Sequence, residues 1–358
     1  MAIEDRAAIL PLPGDPFLFR YWLTFFDKFW GDEIGTLYVY LNSPVEKPVV
    51  DYIRKLCATR PNIDFQYNNL QIEHGDAINR TLDIVQEKYV MLIEDDTFIF
   101  TKGVVSRCFE HLESGEAEIV GSKRGSCSQE ILDAAKAKWH LDYSGLGDVG
   151  PNFWPSLFFC SRQLLESTDR NFGARAWKKG DAVLPLDYVV EVPVIAGDTF
   201  VNTSLQLRDM VPESKIDYIP QYHAHPDDLE HAEQNTGIFD GRAPWVHIGS
   251  LSSGVGGMLK DGQNRCLARR TIDPPEGHTL YGKSPETEME KKEWERRVQI
   301  WLTAWTEAFC DTNTDVIQEF RVEYGNAINR LVNKFGLDQG RIKTRINTYK
   351  QRLPGMGA

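Results

Sequence analysis

The chain has no long apolar run. No stretch approaches the roughly 18 residues a membrane helix needs, so a helical membrane span is not expected anywhere in it. It has no surplus of positive charge either. The formal net charge is −12, which argues against a protein coated by nucleic acid and against a basic membrane-surface patch. A cysteine framework is also missing. The six cysteines, at positions 57, 108, 127, 160, 266 and 310, are scattered and none forms Cys-x-x-Cys, a usage that fits a reducing cytoplasm. The opening "MAIEDRAAILPLPGD" carries acidic residues where a secretion signal needs basic ones. The expected location is therefore the cytoplasm. Internal repeats and low-complexity tracts are absent.

What is present suffices for a full core. At 358 residues, with 42% hydrophobic and 26% charged residues, the composition is that of a globular protein. One large domain with an appendage and two domains both suit this length. The charge is uneven. Between Arg321 and Ala358 eight Lys/Arg stand against Glu323 and Asp338. This segment reads either as a solvated helix face or as a contact for phosphates.

The first hundred residues alternate between two periods. "AAIL" (7–10), "TLYVYLN" (36–42), "IDFQYN" (63–68) and "YVMLI" (89–93) read as strands. Between them, "LFRYWLTFFDKFW" (18–30) has apolar residues at helical spacing. "PVVDYIRKLCAT" (48–59) opens with Pro48 and sets Val49, Ile53, Leu56 and Cys57 on one face. "DAINRTLDIVQEK" (76–88) offers Asp76 as N-cap and Ile78, Leu82 and Val85 as its apolar face. This alternation predicts an α/β fold with a mostly parallel sheet flanked by helices. The middle, about 103 to 258, reads as irregular and rich in Gly, Pro and Trp. From about 285 the pattern turns helical again, with Trp294, Val298, Trp301 and Trp305 on one stripe.

The sharpest local feature is "EKYVMLIEDDTFIF". An apolar strand stops at Glu94, Asp95 and Asp96, and an apolar run resumes at Thr97. Three adjacent carboxylates repel, and burying them is costly without a cationic compensator. At the carboxyl end of a parallel strand, where α/β sheets bind ligands, a hard divalent ion carrying a diphosphate would supply one. An acidic loop or a helix N-cap is the plainer alternative.

With the preceding stretch included, "HGDAINRTLDIVQEKYVMLIEDDTFIF" resembles the nucleotide-sugar segment of GT-A glycosyltransferases, family 2 in particular. The shared parts are His74-Gly75, Asn79-Arg80, the strand Tyr89–Ile93 and the acidic triple. The resemblance implies a Rossmann-like GT-A domain over 1–258, with a nucleotide-sugar half (1–100) and an acceptor half (101–258). A helical extension over 259–358 follows it. It further implies that Asp96 binds Mn²⁺ or Mg²⁺, and that Glu94 and Asp95 face the ribose or donor sugar. Pro11, Asn42, Gly75 and Asn79 are implied to lie against the nucleotide. Further along, "FWPSLFFCSRQLLE" (153–166) resembles the strand and helix before the acceptor site. "AGDTFVNTSLQLRD" (196–209) resembles the segment of the catalytic base, which points to Asp198. An inverting transfer needs such a carboxylate to take the acceptor's proton; a helix N-cap is the other reading of "GDTF". "APWVHIGSLSSG" (243–254) resembles the segment that completes the metal site, which points to His247 as a ligand, although a lone histidine is often structural. Ser250, Ser252 and Ser253 follow it as phosphate-capping candidates.

The expected activity is metal-dependent, inverting transfer of a sugar from a nucleoside-diphosphate sugar, with a UDP-sugar favoured. The acceptor is a polysaccharide, a protein or a hydroxylated base in DNA. Two other readings stand beside it. "HAHPDDLEH" (223–231) resembles the zinc site of LmbE-like deacetylases, but Pro220 breaks the preceding strand and Leu229 displaces the expected acid. A non-catalytic nucleotide-sugar binding module would need neither Asp198 nor the metal.

Overall fold

The protein is described by a computed structural model that covers residues 2–14, 16–45, 47–70, 72–99, 102–122, 127–140, 153–219, 222–223 and 245–247. The expected extension over 259–358, the His225-Pro226-Asp227-Asp228 stretch and Ser250, Ser252 and Ser253 lie outside the described residues.

The first part alternates as its periodicity predicts: β1 (Arg6–Leu12), α1 (Pro16–Phe25), β2 (Thr36–Leu41), α2 (Lys47–Ala58), β3 (Ile63–Tyr67), α3 (His74–Leu82) and β4 (Tyr89–Ile93). The chain continues through β5 (Thr97–Ile99), α4 (Val104–Ser114), β6 (Ile119–Gly121), α5 (Gln129–Trp139), β7 (Leu157–Ser161) and α6 (Arg162–Glu166). Then come β8 (Arg175–Lys178), β9 (Ala182–Val183), β10 (Tyr188–Val189), β11 (Val194–Gly197), α7 (Val201–Met210), β12 (Ile216–Tyr218), β13 (Tyr222–His223) and β14 (Trp245–His247). The described part of the middle is thus more regular than its Gly- and Pro-rich composition suggests.

The central sheet has the order β12-β6-β7-β4-β1-β2-β3. Every strand is parallel to the rest except β7, which runs antiparallel to both β4 and β6. Strands β1 and β4 are buried along their whole length, as expected for parallel strands covered on both faces. Alternate residues divide between two cores. Ala8, Leu10, Val39 and Met91 pack with apolar residues of α1, α2 and α4, while Ala7, Ile9, Tyr38 and Leu92 pack with α3 and Leu207 of α7. The result is a Rossmann-like α/β architecture with helices on both faces. A smaller cluster joins α5, β8 and β11 to Val201 and Leu205 of α7, so α7 ties this unit to the main sheet.

Two helices differ from expectation at their boundaries. Helix α3 starts at His74, with Glu73 as N-cap and Asp76 inside the first turn. Asp76 therefore favours the positive helix end by charge rather than by capping. The same helix stops at Leu82 instead of continuing to Lys88, although Val85 is still buried. Helix α1 ends at Phe25 and passes into a π-helical turn, Phe26–Trp30. Trp22, Phe26 and Trp30 pack there ring against ring.

Candidate functional site

Strand β1 pairs with β2 up to Leu12↔Leu41, but with β4 only from Arg6↔Tyr89 to Ile9↔Leu92. The chain builds β2 and β3 on one side of β1, then returns to place β4 on the other. Such a reversal is a topological switch point, and ligands of α/β sheets bind in the crevice it opens at the carboxyl ends of the strands. Pro11 stands beyond the last β1–β4 pair and has no N–H with which to extend that ladder. Gly14, at φ 97°, turns the chain away from the sheet.

On the other wall β4 runs into a tight turn in which Thr97 N–H donates to Glu94 O at 3.1 Å. Asp95 and Asp96 are 4% and 6% exposed, and the Glu94 side chain is 21% exposed. The turn is held from behind: Trp22 Nε1 donates to Thr97 O at 2.9 Å. From the other side β14 pairs antiparallel with β5, setting the backbone of His247 opposite Thr97, and β13 sets His223 beside His247. The backbone of His247 is thereby in register with the residue that follows Asp96. Its imidazole lies outside the described residues, among which no cluster of three or more metal-ligating side chains occurs.

Among the described residues, buried polar atoms without a hydrogen-bond partner include Asn42 Oδ1 just after β2, His74 Nδ1 at the start of α3, Thr97 Oγ1 at the start of β5 and Ser156 Oγ just before β7. About nine in ten buried polar groups are normally paired, so each such exception calls for an explanation. Asn42 is fixed at the end of β2 by its N–H to Leu12 O (3.1 Å) and by Ile72 N–H to its own carbonyl (3.1 Å). Its amide nitrogen donates to Ile72 O at 3.2 Å, so the side-chain oxygen is left as an acceptor. His74 opens α3, with Nε2 3.6 Å from Glu94 Oε1. Ser156 does not stand out in the sequence, and His74 does so only as part of the segment that carries the family resemblance; the unpaired atoms of both depend on tertiary register, which no local pattern carries.

Gly75 and Asn79 are placed by packing against the second half of the chain. A Cβ on Gly75 would lie 2.3 Å from Gly173 N, so α3 abuts the Phe172–Gly173 backbone there. Asn79 Nδ2 donates to Arg170 O at 2.7 Å and its Oδ1 accepts from Arg170 Nε at 3.1 Å. The Asn79 amide is thus engaged at both ends by Arg170.

Asp198 follows β11 and is exposed, and its Oδ1 accepts from Thr199 N–H at 2.8 Å. It is not the N-cap of α7. That position belongs to Phe200, an aromatic residue at φ 75° with no side-chain cap. A left-handed backbone at such a residue is costly and persists only where packing enforces it. Here Phe200 stacks on Phe172 at 5.8 Å, meets Phe158 edge-on at 4.8 Å, and donates its N–H to Phe172 O at 2.8 Å. Phe172 in turn abuts Gly75. The Asp198 turn is therefore coupled through Phe200 and Phe172 to the start of α3, beside Glu94.

Thiol chemistry is not offered by the inner cysteines. Cys57, Cys108 and Cys160 are buried free thiols, and burial pushes the Cys108 and Cys160 thiols well above their ordinary range, which disfavours the nucleophilic thiolate. No described helix is long and apolar enough to cross a membrane.

No protein-family model matches the chain, and no curated protein matches it by sequence. Among solved structures it is similar to a mannosyltransferase of Pyrobaculum calidifontis in complex with GDP-Man and Mn²⁺. The TM-score is 0.42 at 11% identity, over 97% of this chain and 79% of that one. It is also similar to a 4-diphosphocytidyl-2C-methyl-D-erythritol synthase of Anaerococcus prevotii, with TM-score 0.31 at 13% identity, over 46% of this chain and 72% of that one. At such scores the architecture stands on its own strand order, and the site on its own residues.

Proposed function

We propose that the chain is a GT-A-type, metal-dependent, inverting glycosyltransferase. It moves a sugar from a nucleoside-diphosphate sugar to an acceptor hydroxyl on a glycan, a protein or a hydroxylated DNA base. The observation that carries this reading is the pair of buried carboxylates, Asp95 and Asp96, at the carboxyl end of β4 where the sheet changes direction. The donor set fits a hard divalent cation: carboxylate oxygens, with an imidazole-bearing residue in register on the neighbouring strand. Asp96 would hold Mn²⁺ or Mg²⁺ with His247. A bound ion supplies positive charge for the diphosphate leaving group.

The chain's own residues do the rest. Asn42 offers its side-chain oxygen to a base N–H, and Pro11 closes the floor of the crevice. Glu94 accepts from donor hydroxyls. Asp198, oriented by the Thr199 N–H, takes the acceptor's proton as its oxygen attacks the anomeric carbon from the face opposite the diphosphate.

A thermal-shift panel of UDP- and GDP-sugars with and without Mn²⁺ tests the reading. A donor at 100 times its dissociation constant adds about 2.7 kcal/mol of apparent stability, and this gain should require the metal. A panel in which no nucleotide sugar raises the melting temperature would remove the reading.

A further inference from the structure

We infer that Ser156 binds a hydroxyl of the transferred sugar, sharing that hydroxyl with Glu94. The inference rests on the nucleotide-sugar reading and adds a residue that recognises the sugar itself. Ser156 is fully buried, and its Oγ has no hydrogen-bond partner. Its neighbours are firmly held: Phe153 N–H donates to Ser204 Oγ at 3.1 Å, and Trp154 N–H to Ser122 Oγ at 2.9 Å. The segment delivering Ser156 is therefore anchored on two sides while its own hydroxyl is left over.

Its position follows from strand register. The antiparallel β4–β7 ladder ends at Ile93↔Leu157, and one step further sets Ser156 across from Glu94. By strand alternation both belong to the face of Leu92 and Phe158. That face also carries the start of α3, with His74 3.6 Å from Glu94. Phe200, two residues past Asp198, meets Phe158 there at 4.8 Å. The Ser156–Glu94 pair thus lies between the acidic turn and the turn that carries Asp198.

The chemistry selects a hydroxyl over a phosphate. An ionised carboxylate only accepts hydrogen bonds, whereas a serine hydroxyl both donates and accepts. A sugar O–H that donates to Glu94 and accepts from Ser156 supplies the partner that the serine hydroxyl lacks. A phosphate oxygen cannot donate, and Glu94 repels its charge. The diphosphate therefore belongs with the metal at Asp96, and the sugar ring with Ser156.

Calorimetric titration of the full chain in Mg²⁺ tests this, using UDP, GDP, UDP-glucose and GDP-mannose on wild type and Ser156→Ala. The variant should keep nucleoside-diphosphate affinity within about twofold. It should lose about tenfold for the nucleotide sugar that wild type binds, the scale of one hydrogen bond. Its melting temperature should be unchanged or higher, because the lost hydroxyl had no partner in the unliganded fold. Unchanged nucleotide-sugar affinity, an equal loss for diphosphate and nucleotide sugar, or a lowered melting temperature would each overturn the role while leaving the donor reading in place. A wild type that binds none of the four would instead overturn the donor reading, and this inference with it.

Discussion

Asp96 and Asp198 are both carboxylates, yet their settings differ, and the proposed reading gives them different work. Asp96 is buried at the strand end, while Asp198 is exposed on a turn held by Phe200. In the proposed site Asp96→Ala would remove a hard oxygen ligand, so calorimetric titration should show metal-dependent donor binding abolished; unchanged affinity would take Asp96 out of the site. Asp198→Asn keeps the shape and an acceptor for Thr199 N–H, but cannot take a proton at neutral pH. Its turnover should fall roughly 10²- to 10⁴-fold, with donor affinity and melting temperature near those of wild type. An active Asp198→Asn would assign the base elsewhere. The acidic triple was legible in the sequence because an apolar run stopped abruptly at like charges. Asn42 was legible only through the family resemblance, and its unpaired oxygen only in the structure. Ser156 was not legible, and His74 only as part of the resembling segment, because what marks them is the absence of a partner for Ser156 Oγ and His74 Nδ1 in three dimensions.

At the scale of elements, the strands announced themselves through composition and the first helices through their apolar faces. The start of α3 did not, because its first turn contains a glycine and its cap, Glu73, makes no capping bond. The reason for that glycine is tertiary. Gly75→Ala would press a Cβ to 2.3 Å from Gly173 N and 2.5 Å from Phe172 C, both backbone atoms that do not yield easily. Overpacking of this kind costs about 1–3 kcal/mol, so chemical denaturation should show a loss of that size. Because Phe172 supports Phe200, the same variant should also slow transfer more than it weakens donor binding. A fully stable Gly75→Ala would mean that α3 and the Phe172–Gly173 segment sit further apart than described. Helices α4 and α5 went unnoticed in the sequence because they lie between turn-rich stretches, which coloured the whole middle as irregular.

For the whole molecule, parallel order and helices on both faces were legible from alternation. The antiparallel insertion of β7 was not, since nothing local distinguishes a buried parallel strand from a buried antiparallel one. Ser156 precedes that strand directly. Global stability has its own pH signature in the pair that links β2 to the segment before β4. Tyr38 O–H donates to Glu87 Oε2 at 3.0 Å, and burial with the nearby Glu87 charge raises the phenol from 10.0 to about 12. A raised phenol means that the folded state holds its proton longer. Its contribution is complete below pH 10 and lost as pH rises toward 12. Urea midpoints measured across that window should fall in wild type and fall less steeply in Tyr38→Phe. The most direct test of the account is ¹H NMR of the sugar's anomeric signal as wild type and Asp198→Asn act on a donor with Mg²⁺, water serving as acceptor. The account predicts loss of the phosphate-coupled donor signal, first appearance of the opposite anomer, and silence from Asp198→Asn. A donor left intact by wild type, or a product that first appears with the donor's own configuration, would contradict it.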